Sequence, residues 1–147
     1  VPQLPTAVRD LALLLGRVVI GIVFVVHGLQ KFTQWGISGT TDSFAQMEIP
    51  APALSAWFAA LVETLGGIAL IVGVALPLAG ALLAVVMLGA LFFVHLSQGF
   101  SEYEYVLVLA AAALALGFNG GNYSIDRLLR GSGTSGKSNT APESANA

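Results

Sequence analysis

The sequence predicts an all-α protein, a four-helix transmembrane bundle with its N and C termini cytoplasmic. Three observations lead there. Hydrophobic residues make up 56% of the 147-residue chain and charged residues 10%, too few charges to cover a water-soluble domain of this length. Four apolar runs stand out, Leu11–Leu29, Leu54–Leu76, Leu78–Leu96 and Tyr105–Phe118. They lack the alternating polarity of barrel strands, and lipid offers exposed backbone no hydrogen-bond partner, so they read as helices. The basic residues flank the first and last runs, which sets the orientation.

The first run begins behind Arg9. A basic start and an apolar body also describe a signal peptide, but Arg17 interrupts the body, the run is too long and no small-x-small cleavage site follows. The second and third runs are separated only by Pro77, which is expected to turn one helix directly into an antiparallel neighbour. The fourth is shorter than the roughly 20 residues a span needs. It becomes workable with Tyr103 and Tyr105 at one interface and Asn119–Tyr123 at the other. The long connection from Thr33 to Ala53 carries Trp35, Phe44, Met47, Pro50 and Pro52. Its aromatic residues suit an interfacial belt or a lid, with an anchored loop as the simpler reading. Ile125, Leu128 and Leu129 interleaved with Asp126, Arg127 and Arg130 predict a short helix on the cytoplasmic membrane surface. Residues 8–130 thus form one membrane domain. Residues 131–147, rich in Gly, Ser, Thr, Asn and Ala, read as a disordered tail.

Orientation follows from counting. Arg9 precedes the first run, and Arg127, Arg130 and Lys137 follow the fourth. The connection after the first run sets Lys31 against Asp42 and Glu48, and the one after the third carries Glu102 and Glu104 without a basic residue. The excess of Lys and Arg marks the cytoplasmic side. A net charge of −2 with no basic stripe excludes a nucleic-acid footprint. The absence of cysteine excludes disulfides, thiolate chemistry and thiolate metal sites within this chain.

Charges within a span are costly and seldom face lipid. In the first helix Arg17, Gly21, Phe24, Gly28 and Lys31 recur in steps of three and four and share a face, with His27 beside it. Glycine lets a second helix approach closely, so this face points into the bundle. The second helix repeats the pattern with Glu63, Gly66 and Gly73, beside Gly67. The fourth offers a ridge of Ala113, Gly117 and Gly121. With outer ends at Gly28 and Leu54, Arg17 lies roughly 16 Å and Glu63 roughly 14 Å below the outer boundary, which predicts an intramembrane ion pair. His27, Lys31, His95, Glu102 and Glu104 fall near that boundary as candidate ligand or proton residues. Snorkelling side chains are the plain alternative, and an imidazole beside a carboxylate is the arrangement that passes protons to a reduced carbonyl such as a quinone. No HxxxH or ExxH spacing supports a metal site.

Three motifs carry a resemblance: "GRVVIGIVFVVHGLQKF" with Arg17, Gly21, His27, Gly28 and Lys31, "LVETLGGIALIVG" with Glu63, Gly66, Gly67 and Gly73, and "NGGNYSIDRLL" with Asn122, Ser124 and Asp126. From Arg17 to Arg127 the chain resembles the DoxX family of small bacterial membrane proteins. The resemblance implies a multi-pass protein of a bacterial plasma membrane with links to redox metabolism, since the family includes a subunit type of thiosulfate:quinone oxidoreductase and proteins associated with oxidative-stress defence. The leading expectation is an accessory subunit of a redox or respiratory assembly, with membrane lipid and other redox subunits as partners and a quinone as the candidate ligand. Two alternatives stand beside it: a quinone-reducing enzyme subunit, and a small transporter using Arg17 and Glu63.

Overall fold

The computed structural model describes residues 3–95 and 99–133, apart from the side chains of His95, Glu102, Tyr103 and 132–133. The described residues form helices α1 (Thr6–Thr33), α2 (Gly36–Gln46), α3 (Pro52–Val72), α4 (Leu76–Ala90), α5 (Phe100–Phe118) and α6 (Ile125–Gly133). A wider π-helical turn, Leu91–His95, extends α4. There is no strand among them. Three helical stretches, Thr6–Thr33, Pro52–Val72 and Leu76–Val94, are long and apolar enough to cross a membrane, and Glu104–Phe118 is a shorter apolar helix.

Glycines dictate the packing. Helix α3 lies against α1 on one side and α4 on the other, and α4 packs on α5. A Cβ on Gly21 would meet the Gly67 carbonyl oxygen at 2.7 Å, and one on Gly28 would lie 2.6 Å from the Thr64 amide nitrogen. Helices α4 and α5 are equally close, because a Cβ on Gly80 or on Gly117 would fall 2.8 Å from the other's Cα. Dispersion and backbone proximity replace hydrophobic burial as the adhesive where lipid is the solvent. Gly66 makes looser contact, with the Leu83 side chain. Phe24, Leu70, Leu83 and Met87 fill the space between the helix pairs.

Two expectations need correction here. The junction of α3 and α4 is not made by Pro77. Gly73 and Ala75 turn the chain, both with left-handed backbone (φ 78° and 47°), and Pro77 sits inside the first turn of α4, where its missing N–H costs nothing. Gly121 lies beyond the end of α5 with φ 76°, packed on Leu13. The helical ridge of α5 therefore ends at Gly117, and Gly121 serves a turn that only glycine adopts cheaply.

The long connection is largely helical. Buried Thr40 in α2 donates to the carbonyls of Lys31 (3.3 Å) and Gly36 (2.9 Å), which docks α2 on the end of α1. Phe32 meets Trp57 edge-on at 5.8 Å. At the other end of the molecule, Asn122 donates to Asp10 through its backbone N–H (3.1 Å) and its amide Nδ2 (2.9 Å). The start of α1 and the segment after α5 therefore share one end. Helix α6 runs to Gly133, so the first three residues of the expected tail are helical; 134–147 lie outside the described residues.

Candidate functional site

The register of α1 on α3 determines which charges meet. Gly28 faces Thr64 and Gly21 faces Gly67 and Ile71, so Arg17 reaches Leu70 and the end of α3. Glu63 stands two turns away, roughly 10 Å along the axis, and it pairs with Lys31 instead, Nζ to Oε2 2.7 Å. The expected Arg17–Glu63 pair is thus replaced by two separate arrangements. The depth estimate ended α1 at Gly28, whereas the helix continues to Thr33, and that extension shifts the register.

The Lys31–Glu63 pair is the salt bridge found among the described residues, with side chains 13% and 3% exposed. Lys31 Nζ also lies 3.5 Å from the His27 carbonyl. The lysine bond takes one carboxylate oxygen of Glu63. The other, Oε1, has no hydrogen-bond partner among the described residues. Both side chains border a cavity of about 380 Å³ whose remaining wall is almost wholly apolar. Phe44 of α2, Pro50, Phe58 of α3, Val86 of α4 and Phe93 of the π-turn are among the residues that line it. The size lies at the small-ligand end of ordinary binding pockets, and π-turns recur beside functional sites.

His27 stands beside this cavity and does not line it. Its Nε2 is 3.4 Å from the Tyr105 hydroxyl of α5, and the two rings are 6.0 Å apart. Glu104 is exposed and away from the cavity wall. The side chains of His95 and Glu102 lie outside the described residues. Of the five outer candidates, the structure places Lys31 in the cavity with Glu63, and His27 on the neighbouring face with Tyr105.

The opposite end holds a second polar cluster. Arg17 is fully buried. It donates to the Leu70 carbonyl at 3.2 Å and to the Tyr123 carbonyl, while its Nε has no partner among the described residues. Leu70 belongs to the last turn of α3, whose carbonyls lack helical partners and carry the negative end of the helix dipole. Asp126 does the converse for α4. Its carboxylate accepts from the N–H groups of Ala75 and Leu76, each at 2.9 Å, and its own N–H donates to the Gly73 carbonyl at 2.9 Å. Asp126 is also the carboxylate whose charge acts on Arg17. A cation therefore closes α3, an anion opens α4, and the segment after α5 supplies the parts between them. This explains the Asn122, Ser124 and Asp126 motif as a structural clasp. Asp10, buried at 5%, went unremarked in the sequence; the available signal was an acidic residue at the threshold of an apolar run, which needs a partner.

A sequence profile described as DoxX matches residues 12–96. A Bacillus subtilis (strain 168) protein named "Putative oxidoreductase CatD" is 36% identical over 110 residues, covering 73% of this chain and 79% of that protein. The chain belongs to the DoxX family. No solved structure matches it. In this DoxX membrane protein the matched stretch contains Arg17, Lys31, Glu63 and every residue bordering the cavity. Asp10 and the clasp from Asn119 to Asp126 lie outside it.

Proposed function

We propose that this DoxX chain is a plasma-membrane subunit of a redox assembly and that its cavity receives a quinone-type ligand. In this reading the chain crosses four times, as α1, α3, α4 with the π-turn, and α5, and both termini are cytoplasmic. Arg9, Arg127 and Arg130 then stand on the positive side, and the cavity faces the outer leaflet. The observation that carries the reading is an apolar cavity of about 380 Å³ bordered by a largely buried lysine–glutamate pair. An apolar ring fits the wall, and a polar head group meets the pair. The name of the Bacillus relative, an oxidoreductase, points the same way. Without cysteine, any thiol chemistry of the assembly belongs to partner chains.

The test has two arms. Purification in mild detergent should bring down oxidoreductase subunits, and the isolated chain in lipid nanodiscs should bind a decyl-substituted benzoquinone. Consumption of that quinone by the isolated chain with a reductant would make it a quinone-reducing enzyme in its own right. Failure to bind the quinone at all would remove the ligand from the proposal.

A further inference from the structure

We propose that the cavity distinguishes the redox states of its ligand and binds the hydroxyl-bearing quinol more tightly than the quinone. This inference rests on the quinone reading above and goes beyond it by assigning which form is held. The argument lies in the donor and acceptor inventory of the pair. Lys31 Nζ donates to Glu63 Oε2 at 2.7 Å, and a carboxylate paired with an ammonium offers only acceptor oxygens. Its second oxygen, Oε1, accepts no hydrogen bond from the described residues, and the residue borders the cavity. A head group seated there meets an ammonium and an unsatisfied anionic acceptor side by side. A quinol hydroxyl serves both, its O–H donating to Oε1 and its oxygen accepting from Nζ. A quinone carbonyl accepts from Nζ but sets its lone pairs against Oε1, which leaves that acceptor without a donor from the ligand.

Hydrogen bonds to an ionised partner in a dry site are stronger than neutral ones. The expected preference for the quinol is about tenfold or more. Each tenfold raises the midpoint potential of the bound couple by about 30 mV, because the reduced form is the one stabilised.

Gly89 supplies a clean control. It borders the cavity, and no atom lies within 4 Å of the place its Cβ would occupy. The side chain of Gly89→Leu therefore starts into open space at its Cβ on the cavity border, and replacing a helical glycine favours the fold.

The experiment is anaerobic calorimetric titration of the full chain in nanodiscs with decyl-benzoquinone and, separately, with its dithionite-reduced quinol. The expected result is quinol affinity about tenfold or more above quinone affinity. Gly89→Leu should abolish both while keeping its melting temperature, and Glu63→Gln, whose amide can donate to a carbonyl, should narrow the gap. Equal affinities, or a tighter quinone, would overturn the redox preference and leave the quinone site standing. Unaltered binding by Gly89→Leu would place the ligand elsewhere and overturn it too. No binding of either form to the wild-type chain would defeat the quinone reading itself.

Discussion

Lys31 and Glu63 depend on each other because Glu63 is buried and Lys31 is only slightly exposed. Removing one side of a buried pair leaves an uncompensated charge, at a cost of about 3–5 kcal/mol. Lys31 is 13% exposed, which places its loss at the low end. Lys31→Met and Glu63→Gln alone should each lower the melting temperature in detergent, and Lys31→Met combined with Glu63→Leu should recover most of the loss. Arg17 belongs to a different account. It holds the Leu70 and Tyr123 carbonyls, two turns of α3 from Glu63, and shares no partner with it. Combining Arg17→Gln with Glu63→Gln should therefore add the two losses within about 0.5 kcal/mol in thermal unfolding. A large non-additive term would bring the two charges back into contact and contradict the register described here.

Among the helices, stability rests on how closely two backbones approach. A methyl group on Gly28 would need the space of the Thr64 backbone, so Gly28→Ala must push α1 from α3. Overpacking of this kind costs about 1–3 kcal/mol. Gly89→Ala meets nothing and should be neutral or stabilising by up to about 1 kcal/mol. Opposite signs in one melting series would separate close approach from helix propensity. The clasp acts on helix ends rather than helix faces. Asp126→Ala strips the carboxylate from the Ala75 and Leu76 amides, which should cost about 1–2 kcal/mol. It should also speed hydrogen exchange at those two amides while leaving exchange in the middle of α1 unchanged. Uniform acceleration throughout the chain would show that Asp126 holds more than this junction.

For the whole molecule, the Asp10–Asn122 contact ties the beginning of α1 to the segment after α5 at one end, and α2 lies at the other, docked by Thr40. The orientation proposed for the bilayer rests on the basic residues at the clasped end. A tag inserted at residue 40 should react with a membrane-impermeant reagent added to intact cells, and one at residue 140 should react only after permeabilisation. Labelling of residue 140 in intact cells would invert the topology and turn the cavity toward the cytoplasm.

Composition, run length and three polar motifs were enough to establish a helical membrane protein of the DoxX family, because apolar length and charge scarcity are properties of the chain itself. The bundle-facing role of Gly21 and Gly28 was also legible, since spacing of three and four maps directly onto a helix face, whereas Gly67, which meets α1, lay beside the face that spacing picked on α3. Which charges would meet was not. That choice depends on the axial register of α1 against α3, set by where glycine admits a backbone and by how far α1 runs past Gly28 to Thr33. A shift of one or two turns exchanges the partners of Arg17 and Glu63 without altering either helix. The cavity was equally hidden. Its wall draws Phe44, Pro50, Phe58, Val86 and Phe93 from separated segments, and an empty volume between helices leaves no periodic mark on any one of them.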